Sequence, residues 1–171
     1  MINISNPASP AYGGSYDTQG TAEYVAVAGN YAYVADHSRG LLVLDISNPS
    51  VPSYAGSYDT PGNAYCVAIA GDYAYVADAT SGLQVIDISI PTAPFLGGSC
   101  AVPSAATGVT VSGDYLFVAC WAAGLQVIDI SNPTNPFIAG SCNLPTMQWV
   151  WRYPATARMW RMIKTASRWL I

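Results

Sequence analysis

An all-β chain of about three propeller blades, each of four antiparallel strands, is what this sequence predicts. Three observations carry that prediction: a repeat of 42 residues without insertion or deletion, short apolar runs bounded by Gly and Pro turns, and no apolar period of 3.6 before Met147. Asp45, Asp87 and Asp129 are one step apart, as are Pro7, Pro49, Pro91 and Pro133. Pro10, Pro52, Pro94 and Pro136 keep the same step, and so do Gly29, Gly71 and Gly113, Gly40, Gly82 and Gly124, and Ser15, Ser57, Ser99 and Ser141.

One period serves for all. Residues 65–70 alternate β-branched and small side chains, and the pair Gly71-Asp72 supplies a two-residue hairpin turn, because Gly reaches positive φ without a Cβ clash. Residues 73–77 form the second strand. A polar turn, 78–82, leads to a third strand at 83–88. Pro91 and Pro94 end that run, since proline has no N–H to give a ladder, and 95–100 make the fourth strand. Four short strands per roughly 40 residues is the pattern of a propeller blade.

The third strands read Leu41-Leu42-Val43-Leu44-Asp45, Leu83-Gln84-Val85-Ile86-Asp87 and Leu125-Gln126-Val127-Ile128-Asp129. Flanking them are Ala-Tyr-Val-Ala-Asp at 32–36 and 74–78, and Asp-Ile-Ser-Asn-Pro at 45–49 and 129–133. Together these strings resemble the LVIVD-repeat family. The resemblance covers residues 1–146 and implies a β-propeller, in many members part of a surface or secreted protein, with no shared catalytic residues. Two departures are local: Ile90 stands where the other turns have Asn, and Cys120 where they have Asp36 and Asp78.

Met1 aligns with Val43, so the expected organisation is a partial blade over 1–17, periods of 42 from about 18, 60 and 102, and a non-repeat tail at 147–171. Closed propellers have about 4–8 blades, so three form an incomplete one with uncovered end faces. Met1 is followed by repeat sequence rather than a basic and apolar leader.

Composition divides at the same seam. The chain is 51% apolar and 9% charged, far below the roughly 25% of an ordinary domain, which excludes a coiled coil or polyelectrolyte tail. All ten acids and all 15 Gly precede Met147, with Arg39 as the single base there, which argues against a nucleic-acid partner. The last 25 residues hold five bases, no acid and four of the five Trp. A basic amphipathic, membrane-surface helix is one reading of them, although Met162 lies four residues from Arg158 and spoils the separation of faces. Reading-frame displacement accounts for more. In the shifted frame Trp149-Val150 forces a Gly codon and Met159-Trp160 a Val codon, both where the repeat requires those residues, and permitted third bases complete a fourth repeat. An unstructured extension is the remaining reading.

Candidate chemistry is sparse. The four cysteines, Cys66, Cys100, Cys120 and Cys142, lack CxxC spacing and read as small apolar fillers, their redox state left open. His37 is the one histidine and falls in a turn, short of the partners a zinc site or a Ser-His-Asp triad needs. Asp45, Asp87 and Asp129 precede Ser-x-Pro turns, where a carboxylate accepts backbone N–H bonds, and Asp36 and Asp78 open turns closed by Gly. An Asp ring binding a cation or a basic partner is the functional alternative. Serial copying favours structure over a site. The paired aromatics at Tyr31/Tyr33, Tyr73/Tyr75 and Tyr115/Phe117 share one face and read as packing between blades, with sugar or peptide stacking as the alternative.

The sequence therefore names no catalytic, cofactor-binding or metal residue and no transmembrane segment. Its expected function is that of a non-enzymatic binding or scaffolding module, a fragment of a larger extracellular or cell-surface propeller with a protein or glycan ligand. Self-association through open blade edges is a further expectation. The alternative is a fragment of a propeller enzyme, such as a lactonase-type hydrolase, whose active-site residues lie in blades missing from the chain.

Overall fold

Each hairpin is set by a glycine in the left-handed region: Gly29, Gly71 and Gly113 have φ of 56°, 55° and 56°. The strands leaving it pair in matched register, Ala28 opposite Tyr31 and Ala70 opposite Tyr73, the two-residue loop that sequence predicts. The computed structural model describes residues 1–3, 7–9 and 11–143. The expected tail at 147–171, whether out-of-frame repeat or amphipathic helix, lies outside the described residues.

Among the described residues there is no helix. The first blade is β3 (Tyr24–Ala28), β4 (Tyr31–Ala35), β5 (Leu41–Asp45) and β6 (Ser53–Tyr58). The second is β7 (Cys66–Ala70), β8 (Tyr73–Ala77), β9 (Leu83–Asp87) and β10 (Phe95–Cys100). The third is β11 (Ala106–Ser112), β12 (Tyr115–Cys120), β13 (Gly124–Asp129) and β14 (Phe137–Cys142). Every blade is an antiparallel meander in chain order. The fourth strand carries a bulge at the same place in all three, where Ala55, Gly97 and Ala139 interrupt the register.

A two-stranded sheet precedes them, β1 (Ile2–Asn3) with β2 (Ala11–Tyr12). Ile2 pairs with Tyr12 and Asn3 with Ala11, as Leu44 pairs with Tyr54 and Asp45 with Ser53 one period later. The pair is therefore the outer half of a blade.

The core lies between blades. Tyr33, Ala35, Leu41 and Val43 on one face of the first blade pack against Val67, Ala74, Val76 and Ile86 of the second. The second blade repeats the contact on the third: Tyr75, Ala77, Leu83 and Val85 meet Leu116, Val118 and Ile128. Backbone bridges stitch the junctions, His37 with Ala64 and Ala79 with Ala106. Glycine makes close approach possible at the outer strand. A Cβ on Gly14 would lie 2.6 Å from the Pro49 carbonyl oxygen, on Gly56 2.6 Å from that of Pro91, and on Gly98 2.8 Å from that of Pro133. The recurring Gly and Pro are thus socket and plug of neighbouring blades. At Gly140 the socket meets nothing within 4 Å among the described residues.

Candidate functional site

The carboxylates that the repeat multiplies are absorbed by its own backbone. Asp45, Asp87 and Asp129 each accept the N–H of the serine two residues on, at 2.8, 2.9 and 2.9 Å. The Ser47 and Ser131 hydroxyls first, and these N–H bonds second, hold the Asp45 and Asp129 carboxyls below their ordinary range.

The second set is buried, Asp36 at 1% exposure and Asp78 at 0%. Thr60 Oγ1 donates to Asp78 Oδ1 at 2.6 Å and the Gly62 N–H to Oδ2 at 2.8 Å, while Thr18 Oγ1 donates to Asp36 Oδ1 at 2.8 Å. Burial still pushes the Asp78 carboxyl up, against those two bonds. In the third blade the whole clamp is exchanged. Val102, Ser104 and Cys120 replace Thr60, Gly62 and Asp78, and Ser104 Oγ accepts the Ala122 N–H at 3.1 Å. Donor and acceptor disappear together, which removes a buried hydrogen bond without orphaning a partner. That is how a structural clamp changes.

His37 holds the bridge position of Ala79, with φ of 48° against 49°, and its ring meets Tyr65 edge-on at 5.3 Å. All four cysteines are free thiols. Cys66, Cys100 and Cys120 are buried as fillers; burial, with Cys100 beside it, pushes the Cys120 thiol up to about 11. Cys142 is exposed. Tyr33 and Tyr75 pack between blades as expected, but Tyr115, on the open face of the third blade, is 43% exposed. No group of His, Cys, Asp or Glu among the described residues is arranged to hold a metal ion, and no helix there is long and apolar enough to cross a membrane.

The site that repeat symmetry does not explain is a groove of about 560 Å³ between the outer half-blade and the first blade. Tyr16, Gln19, Arg39, Tyr54, Ser57 and Asp59 are among its lining residues. Several lining residues depart from the repeat, Leu42 and Arg39 among them. Gln84 and Gln126 each donate Nε2 to a loop carbonyl, of Ser81 and Ala123, at 2.7 and 2.9 Å. The first blade has Leu42 and Arg39 at those two positions: Leu42 is buried with Ala32, Val34 and Leu44 in place of the glutamine's bond, the turn keeps its backbone bonds, and Arg39 is the single Lys or Arg of the described residues. Tyrosine faces, a guanidinium, a carboxylate and hydroxyls around a groove can stack on and hydrogen-bond a polar chain; no nucleophile is hydrogen-bonded to a base here. Of the residues lining this groove, sequence reasoning raised only Asp36, as part of an Asp ring. The signal was present as Arg39 and Leu42, the residues that break the repeat.

The solved structures similar to this chain include a computationally designed protein, Ika8, at 13% identity and TM-score 0.53, with 63% of this chain and 33% of that chain covered. They also include a hydrazine synthase chain of Kuenenia stuttgartiensis at 15% identity and TM-score 0.54, with 72% and 37% covered. This chain thus spans about a third of the length of each, and the likeness is one of fold. No curated protein matches the sequence. The LVIVD repeat matches residues 1–18, 19–60, 61–102 and 103–144 in unbroken succession, and the chain belongs to the LVIVD-repeat family.

Proposed function

We propose that the chain is a non-enzymatic binding or scaffolding module, part of a larger propeller protein at the cell surface or outside the cell, that holds a protein or glycan segment in the groove beside Arg39. The observation that carries this reading is the local break of symmetry. Where the third blade departs from the repeat it exchanges a whole buried clamp, whereas Arg39 places the one Lys or Arg of the described residues at this rim. Tyr54, 55% exposed, offers a ring face there, and aromatic platforms with a few polar anchors suit extended ligands. The surface location rests on the family resemblance and the shortage of charged residues. Self-association through the open blade faces belongs to the same reading.

Titration of the purified chain with a panel of oligosaccharides and short acidic and neutral peptides tests it. Saturable binding that falls at least tenfold in both Arg39→Ala and Tyr54→Ala is the expected result. Binding indifferent to both variants, or turnover of a lactone panel by the chain, would overturn it.

A further inference from the structure

We propose that the outer wall of the second and third blades is a docking surface for an extended partner polypeptide segment in which Lys or Arg residues flank large apolar ones. A coupled departure from the repeat points to it. Where the half-blade and the first blade have Ala11 and Ser53, these two blades have Phe95 and Phe137. Where those have Tyr12 and Tyr54, these have Leu96 and Ile138. The same two blades carry Asp72 and Asp114 where the first has Asn30. Apolar surface and negative charge therefore increase together.

The new side chains do not enter the interior. Phe95 and Phe137 are 53% and 55% exposed, Leu96 and Ile138 43% and 39%. Among the described residues the second blade is followed by another and the third is not, yet the two pairs are exposed alike. Their exposure thus belongs to the outer strand and not to an open end. First strands converge, β3 against β7 and β7 against β11, which puts the fourth strands outermost, where no neighbouring blade covers them. The exchange also discards a bond. Tyr12 and Tyr54 share hydrogen bonds with Ser15 and Ser57 at 2.9 and 3.1 Å, whereas Leu96 and Ile138 leave Ser99 and Ser141 without that partner.

Charge decides what the wall accepts. Phe95 lies opposite Asp87 in register and Phe137 opposite Asp129. Just beyond those pairs, the Asp72 and Asp114 carbonyls accept the N–H groups of Ile88 and Ile130 at 2.8 and 2.9 Å. Four acidic residues therefore stand at the Phe end of the two sheets. Arg39, the one Lys or Arg of the described residues, lies in the turn at the other end of the first blade. A second copy would bring the same acids to the same place, and an anionic lipid surface is repelled likewise. A basic segment is attracted instead. Its extended form follows from the edge: β10 and β14 are each paired on one side only, so their outer backbone groups can take a strand whose apolar side chains rest on the Phe, Leu and Ile. This wall is apart from the Arg39 groove, so its failure would leave the proposed function standing.

The test uses the full chain and a fluorescent peptide, Lys-Lys-Leu-Thr-Phe-Thr-Leu, followed by anisotropy. Saturable binding is expected, weakened at least tenfold by Phe95→Ser with Phe137→Ser and several-fold by Asp72→Asn with Asp114→Asn. Both double variants restore residues that the first blade already folds with, Ser53 and Asn30, so loss of binding is not loss of fold. The Asp double variant should also flatten the salt dependence. Val27→Ser, which removes a side chain 63% exposed on the inner part of the first blade, should leave binding unchanged. Failure of the folded chain to bind, binding indifferent to the Phe double variant, or equal binding of a peptide with Ser in place of Leu and Phe overturns the proposal. So does a chain dimer, or adhesion to anionic vesicles, that the Phe double variant abolishes, since a second copy or a membrane would then occupy the wall.

Discussion

Val25 and Val67 are the same residue at the same repeat position, so truncating each isolates what one neighbouring blade is worth. Val67 is 1% exposed and Val25 55% exposed. Val67→Ala removes two buried carbons at about 0.8 kcal/mol each, and the cavity left behind adds roughly 24 cal/mol per Å³. The expected cost is about 2–3 kcal/mol. Val25→Ala gives up less than half of that transfer term and leaves no enclosed cavity, for about 0.5 kcal/mol. The lower strand propensity of alanine affects both variants alike and cancels in the comparison. At about 2–4 °C per kcal/mol for a chain of this size, the two melting temperatures should differ by about 4–8 °C. Urea unfolding followed by circular dichroism would give the same difference as a shift of midpoint at constant slope. Equal costs for the two variants would refute the assignment of Val25 to an uncovered face.

The socket glycines give a second matched pair. Gly98→Ala places a carbon 2.8 Å from the Pro133 carbonyl oxygen and should cost about 1–3 kcal/mol by overpacking, whereas Gly140→Ala, with nothing among the described residues within 4 Å, should be within about 0.5 kcal/mol of neutral in the same urea series. Thr60→Val keeps the shape but leaves Asp78 Oδ1 unbonded, and should lower stability by about 1–3 kcal/mol. The pH dependence has two opposed parts. Because the Asp78 pKa is raised, the folded chain binds more protons than the unfolded one between the ordinary and the raised value, so Asp78→Asn should remove a gain in stability seen as pH falls through that window. Asp45 and Asp129 are lowered, and their contribution, present above the ordinary carboxylate value, should disappear as pH falls through their folded values; Ser47→Ala and Ser131→Ala should blunt that loss in urea titrations at several pH values. Maleimide should label Cys142 first and Cys120 only on unfolding, read by mass spectrometry; early labelling of Cys120 would contradict its burial and its thiol pKa of about 11.

Strand count, order and turn positions were legible in the sequence because the period is strict. The hairpin glycines and the prolines between third and fourth strands act locally, and the strands begin and end within a residue of the sequence reading, Cys66 rather than 65 and Asp87 rather than 88. What the sequence could not show is why Gly56 and Pro91 recur together. They are 35 residues apart in the chain, yet a Cβ on Gly56 would lie 2.6 Å from the Pro91 carbonyl oxygen, a contact between blades that no local rule reveals. The exposure of Cys142 was unreadable for the same reason. Its equivalent Cys100 is buried because a third blade covers it, and nothing in the residue itself records whether a neighbour follows. The groove was hidden differently. Arg39 and Leu42 are visible as departures, but only the bonds of Gln84 and Gln126 in the other blades show which tie the first blade lacks.

Departures from a repeat therefore sort by whether they occur in compensated sets. Val102, Ser104 and Cys120 change together, and the third blade keeps a packed interior with every buried polar side-chain atom among the described residues satisfied. At Leu42 the glutamine's bond gives way to apolar packing with Val34 and Leu44, while Arg39 places a charge beside two tyrosines at a groove. Packing explains Leu42 and leaves Arg39, the sole Lys or Arg of the described residues, as the departure that supports the proposed recognition role.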